Sequence, residues 1–182
     1  YSKKLPKDDI ALIKIREQGQ TAKLTAKQLA KITMQKKDDK PLYRNEVLRV
    51  TGWGWMGART PTTAARLDTS NNVQHSPAML QQLAVNVFED LNCANNPEYE
   101  DFYGAGAICV GSRKPGQDSC QGDSGGPLTR ALPSGKRVLV GIVSNGVGCA
   151  YKNIPAIYTR VSHYEKWIAD AIRLAPKGVT PM

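Results

Sequence analysis

The sequence predicts an all-β domain, of barrel or sandwich type, that ends in a single α-helix. Three observations carry this. From Val47 onward, short apolar or alternating runs recur between clusters of Gly, Pro and Asn. These runs are rich in Val, Ile, Thr and Tyr, residues that suit a half-buried pleated surface. Only the C-terminal segment sets its apolar residues at helical spacing.

The elements follow in chain order. Asp9-Ile10-Ala11-Leu12-Ile13-Lys14-Ile15 reads as a short strand. Lys23, Lys27 and Lys31 stand four apart with Leu24 and Leu29 between them, so spacing alone predicts an amphipathic helix from Thr21 to Met34. Gln35 to Arg44 is polar, holds Pro41, and reads as a connection. Val47-Leu48-Arg49-Val50-Thr51 is a strand leading into Gly52-Trp53-Gly54. Further strands are expected at Leu80 to Phe88, Gly106 to Val110, Leu128 to Leu132, Val138 to Asn145 and Ala156 to Val161. Ser162 with Glu165 three residues later forms a capping box. Behind it Tyr164, Trp167, Ile168, Ala171 and Ile172 mark one face of a helix.

Composition bounds the possibilities. A chain of 182 residues suffices for one ordinary domain or a large piece of one. Its 41% apolar and 23% charged residues exclude a disordered class. The longest apolar stretch, Val138 to Val143, falls far short of the roughly 20 residues of a membrane helix. Tyr-Ser-Lys-Lys-Leu-Pro at the start lacks the apolar core of a signal peptide, so the chain is expected to begin inside a mature protein. Lys and Arg number 25 against 16 Asp and Glu, a net charge of +9. Such a field favours anionic partners, including polysaccharide, and it also favours solubility. No arginine-rich run or interleaved aromatics mark a nucleic-acid module.

Cys93, Cys109, Cys120 and Cys149 form no Cys-x-x-Cys pair and have no His at ligand spacing, which argues against zinc. An even count fits two disulfides and an oxidising compartment. Three pairings remain open. Neither a metal nor a cofactor is expected.

The chemistry concentrates in Gly116-Gln117-Asp118-Ser119-Cys120-Gln121-Gly122-Asp123-Ser124-Gly125-Gly126-Pro127-Leu128. Gly-Asp-Ser-Gly-Gly alone would suit a turn. Glycines on both sides of Ser124 also permit a tight backbone and leave the hydroxyl open to a substrate. The N–H groups of Gly122 and Ser124 could then bind the oxyanion of an acyl-transfer intermediate.

At this point the sequence resembles the trypsin-like (chymotrypsin-fold) serine proteases. The resemblance rests on Asp9 to Leu12, Thr51-Gly52-Trp53-Gly54, Ala107-Ile108-Cys109, Asp118 to Pro127, Gly141 to Ser144, Gly148-Cys149-Ala150 and Pro155 to Val161, in the family's order. It implies two six-stranded Greek-key β-barrels with a C-terminal α-helix. Residues 1–46 would be the C-terminal part of a first barrel only partly covered by the chain, and residues 47–182 the second barrel plus the helix. It implies Ser124 as nucleophile, Asp9 as the carboxylate that orients a histidine, and Gly122 and Ser124 as oxyanion donors. Asp9 is preferred to Asp8 because it directly precedes the Ile-Ala-Leu strand. Asp118 would form the floor of a pocket for Arg or Lys, with Ser119, Gln121, Ser144, Asn145, Gly146 and Ala156 around the substrate. Asp123 would receive a new N-terminal ammonium on zymogen activation. The pairings implied are Cys93 with Cys109 and Cys120 with Cys149. A secreted or periplasmic endopeptidase follows, acting through the acyl-enzyme cycle known for the family.

The chain also departs from the family pattern. The family's His precedes the Asp, yet none of the eight residues before Asp9 is His. His75, in the polar loop Asn71 to Pro77, and His163, at the helix start, read as exposed spectators. Asp9, His75, Ser124 is the chain order of subtilisin-like enzymes, but the residues around Asp9 and Ser124 do not resemble that family. The catalytic His is therefore expected on an N-terminal segment of the same protease domain. The alternative is an inactive homologue that binds anionic partners. Asn145 replaces the usual Trp, Ala156 replaces a Gly and should narrow the pocket, and Lys36-Lys37-Asp38-Asp39-Lys40 reads as an inserted loop. Where the Lys23–Lys31 stripe suggests helix, the resemblance implies extended chain.

Overall fold

A computed structural model describes residues 8–14, 31–56, 76–100, 102–114, 116–151 and 154–174. Seven strands appear: β1 (Thr33–Met34), β2 (Val47–Gly52), β3 (Gln81–Val87), β4 (Ala107–Gly111), β5 (Pro127–Ala131), β6 (Arg137–Asn145) and β7 (Ala156–Arg160). Two helices, α1 (Asp90–Ala94) and α2 (Glu165–Leu174), and 3₁₀ turns at Pro97–Tyr99 and Val161–Tyr164 complete the described elements. The six strands predicted from Val47 onward all form, within a residue or so of the expected ends.

Strands β2 to β7 close into a six-stranded barrel in the order β6-β5-β2-β3-β4-β7, with β7 paired back onto β6. Every pair within the ring is antiparallel. Closure pairs the strand edges that an open sheet would leave bare. Alternation decides what fills the interior. In β2, Leu48 and Val50 turn inward while Val47 and Arg49 face out. They meet Val85, Val87, Ile108, Val110, Leu128, Val140 and Tyr158 in one buried cluster. A second cluster of Phe88, Cys93, Tyr99, Cys109 and Ile157 lies under the β3–β4 connection. A third, Val161, Tyr164 and Ile168, seats α2, and Ile10 packs against it.

Both disulfides have the pairing that the family resemblance implied: Cys93–Cys109 and Cys120–Cys149, closing 16 and 29 residues. The chain-entropy model gives each about 3–4 kcal/mol. The second ties the loop before β5 to the loop after β6.

Several expectations change. Residues 8–14 form no strand, and Ile13 is 88% exposed. A strand needs a ladder partner to satisfy its backbone, and residues 8–14 join no ladder among the described strands. Of the helix expected over Thr21–Met34, residues 21–30 lie outside the described residues. Thr33 and Met34 are extended instead and pair in parallel with Val138 and Leu139, since pairing outweighs local spacing. The capping box is not formed. Val161–Tyr164 winds as a 3₁₀ turn, α2 begins at Glu165, and the Glu165 carboxylate accepts a bond from the Lys37 N–H at 2.8 Å. Helix α1 was not anticipated, because five residues are too few to show a period.

Candidate active site

The segment between Cys120 and β5 is a tight turn lashed to β6. Asp123 N–H donates to Cys120 O at 2.9 Å and Gly126 N–H to Asp123 O at 2.8 Å. Gly125 N–H donates to Val143 O, and Val143 N–H to Gly126 O, both at 2.9 Å. Gly122 has φ of 95°, a region that side-chain-bearing residues rarely enter, so the turn requires glycine there. Ser124 is exposed at its tip. Among the described residues, no hydrogen bond uses the N–H of Gly122 or of Ser124. Two donors and a hydroxyl are thus free on one exposed turn.

Beside this turn lies a cavity of about 200 Å³. Ser119, Gln121, Ser124, Ser144, Asn145, Gly146 and Ala156 line it together with the Cys120–Cys149 bridge. All seven were predicted site residues, and they come from the 116–126 loop, the end of β6 and the start of β7. A Cβ added to Gly146 would stand 3.3 Å from the Ala156 Cβ, so the Ala156 methyl faces Gly146 and narrows the cavity. The Asn145 side chain folds back, its Oδ1 accepting from Gly146 N–H at 2.8 Å.

Asp118 does not itself line that cavity. Its carboxylate accepts from Ser119 N–H at 2.8 Å and from Ala150 N–H at 3.2 Å. Burial pushes its pKa up to about 6, the two amide bonds oppose this, and the Asp123 charge adds to it. Asp118 and Asp123 both line a neighbouring cavity of about 100 Å³, and Ser119 borders both cavities. Asp123 Oδ1 accepts from Gly54 N–H at 2.8 Å and Oδ2 from Cys120 N–H at 3.0 Å. Neither carboxylate has a cationic partner among the described residues.

Asp9 is half-buried and gripped by the barrel. Ser144 Oγ donates to its Oδ2 at 2.8 Å, and Thr159 Oγ1 donates to its backbone O at 2.7 Å. Ser144 therefore touches Asp9 while lining the cavity that Ser124 lines. His163 borders a different cavity of about 190 Å³, with Asp8, Asp9 and Tyr164 but without Ser124. His75 lies outside the described residues.

Three supporting residues escaped the sequence reading. Thr159 holds the Asp9 backbone. Tyr158 Oη pairs with Ser119 Oγ at 2.8 Å. Tyr99 Oη donates to Pro155 O at 2.8 Å and accepts from Val147 N–H at 3.0 Å, bracing the cavity wall. Tyr158 and Thr159 stood in a recognised motif, but which face they present follows only from the β4–β7–β6 pairing. Tyr99 ends the three-residue 3₁₀ turn Pro97–Tyr99, too short to show a period, and had no signal.

Taken together these parts supply an exposed hydroxyl, free amide donors, an anchored carboxylate and a pocket with a half-buried carboxylate next to its Ser119 wall. They suit acyl transfer, given an imidazole between Asp9 and Ser124.

A family model described as trypsin matches residues 1–168. Among curated proteins, Trypsin-1 of Astacus astacus is 38% identical over 124 residues, covering 68% of this chain and 46% of its own length. Trypsin of Sus scrofa is 38% identical over 123 residues, covering 68% and 45%. Transmembrane protease serine 11G of Rattus norvegicus is 33% identical over 161 residues, covering 88% and 34%. The matched stretch spans less than half the length of each of these relatives. With the motif order, the closed six-stranded barrel, both disulfides and the family match in agreement, the chain belongs to the trypsin family of serine proteases.

Proposed function

We propose that this chain is the Ser- and Asp-bearing portion of a secreted endopeptidase that cleaves after Arg or Lys. The observation that carries the reading is the exposed Ser124 turn beside a pocket bordered by Ser119, next to Asp118, a half-buried carboxylate with no cationic partner among the described residues. A substrate guanidinium or ammonium would supply that missing charge. In the reaction, an imidazole from a segment outside the described residues takes the Ser124 proton. Oγ bonds to the scissile carbonyl carbon, and the oxyanion is held by Gly122 and Ser124 N–H. Collapse breaks the C–N bond, and the imidazolium protonates the departing amine. Water, deprotonated by the same imidazole, then releases the acid and restores the Ser124 hydroxyl. Asp9, steadied by Ser144 and Thr159, keeps the imidazole oriented. Asp123 is the acceptor for an N-terminal ammonium formed on activation, beside the cavity it shares with Asp118. Secretion is in keeping with the two disulfides.

The test is covalent labelling. In the intact protease an organophosphonate should modify Ser124, and Ser124→Ala should lower turnover of arginine esters by at least 10³-fold. Label elsewhere, or turnover that survives Ser124→Ala, overturns the reading.

A further inference from the structure

The peptide that presents Asp9 is an unusual piece of backbone. Ile10 N–H bonds Asp8 O at 2.8 Å, an i to i+2 closure that makes Asp9 the centre of a γ-turn. Asp8 enters that turn with φ of 63°, a left-handed conformation that costs energy for a side-chain-bearing residue. No ladder supports residues 8–14, so something else must hold the turn.

The structure shows what does. Tyr164 Oη donates to Asp8 Oδ1 at 2.7 Å, and Thr159 Oγ1 donates to Asp9 O at 2.7 Å. Tyr164 is only 9% exposed and packs in the cluster that seats α2. Its hydroxyl reaches Asp8 across Gly106, where an added Cβ would overlap it. Gly106 is fixed in turn by Arg160 N–H, which donates to Gly106 O at 2.8 Å. A rigid phenol anchored in the second barrel thereby grips the residue before Asp9.

We infer that Tyr164 is a positioning residue for the hydrolysis, acting through Asp8 to hold the γ-turn that presents the Asp9 carboxylate. The inference rests on the proposed role of Asp9. Tyr164 touches no substrate. With the Tyr164 bond gone, Asp8 can relax toward an ordinary φ, and the Asp9 peptide rotates with it. A carboxylate displaced by a fraction of an ångström orients an imidazole less well, and rate falls while binding of the substrate side chain does not.

The experiment uses the intact protease and an arginine ester substrate. Tyr164→Phe should lower kcat by 10- to 100-fold, with KM and the affinity for benzamidine changed less than twofold. Asp8→Ala should do the same. The double variant should lose no more than either single one, because both remove one bond. Asp8→Asn keeps an acceptor oxygen and tolerates the left-handed φ, so it should retain kcat within about threefold. An unchanged kcat in Tyr164→Phe overturns the inference, as do additive losses in the double variant. A loss of benzamidine affinity parallel to kcat also overturns it, because that reports general loosening of the barrel. Ser124→Ala, measured alongside, separates the two readings. If it abolishes turnover while Tyr164→Phe has no effect, only the positioning role fails. If turnover survives Ser124→Ala, the underlying mechanism and this inference fail together.

Discussion

Asp118 shows how far one side chain's environment sets its chemistry. Burial raises its carboxyl to about 6, so it loses its charge just below neutrality. Only the ionised form attracts a guanidinium. Benzamidine affinity should therefore fall as pH drops through about 6, which calorimetric titration between pH 5 and 8 would measure. A flat profile would remove Asp118 from the binding site. The sign for stability is opposite. The folded state holds this proton more tightly than the unfolded state, so the penalty of the ionised form is full above about pH 6 and is relieved as pH falls toward 4. Asp118→Asn should accordingly raise stability at pH 7.5, by at most about 3 kcal/mol, while abolishing benzamidine binding. Denaturant midpoints for the two proteins at pH 7.5 check it. Ser124 and Gly122 stood out in the sequence because they share one glycine-rich motif, whereas Asp118 was singled out only by the family resemblance. Thr159 and Tyr164 did not stand out as site residues, since a Thr in a strand and a Tyr at a helix entry have many uses until their neighbours are known.

At the scale of elements, the connection from β1 to β2 is held by a buried ion pair as well as by Leu42 packed against the barrel core. Glu46 and Arg130 are each about 10% exposed, with Arg130 Nε 2.7 Å from Glu46 Oε1 and Nη2 2.8 Å from Oε2. The same guanidinium donates to Lys40 O at 2.7 Å and Pro41 O at 3.0 Å. One side chain on β5 thus satisfies the carbonyls of a loop that has no ladder of its own. Glu46→Ala should cost about 3–5 kcal/mol, because it strands a buried cation. Glu46→Leu combined with Arg130→Met should cost less than the single change. Urea denaturation of the three proteins tests this, and a double variant that is the least stable would contradict it. The strands themselves were readable from short apolar or alternating runs, and their ends from the Gly, Pro and Asn clusters. The buried pair was not, since Glu46 and Arg130 lie 84 residues apart and nothing local joins them.

For the whole molecule, the described residues bring Asp9 and the Ser124 turn against neighbouring residues of β6, Asp9 through Ser144 and the turn through the bonds of Gly125 and Gly126 to Val143. The one described histidine, His163, shares a cavity with Asp9 but not with Ser124. We propose that the imidazole of the active protease comes from outside this sequence, as the family's order of His before Asp implies. A lysyl chloromethyl ketone alkylates the imidazole beside the nucleophile, and peptide mapping of the intact, labelled protease identifies it. Modification of a histidine absent from these 182 residues is expected. Modification of His75 or His163 would overturn this division of labour.

What the sequence determined by itself was chiefly local: strands from short apolar or alternating runs, a helix from 3.6-residue spacing, and a tight serine-bearing turn from its glycines. These are properties of adjacent residues, so chain order suffices to read them. The disulfide pairing and the two-barrel plan came from resemblance rather than from residue physics. Only the tertiary structure decided that residues 8–14 join no described ladder, that the Ser119 and Ala150 amides hold the Asp118 carboxylate, and that Thr159 and Tyr164 converge on Asp8 and Asp9. Each of these depends on which groups barrel closure brings within 3 Å of one another. Closure is a property of all six strands at once, and no window of the chain contains it.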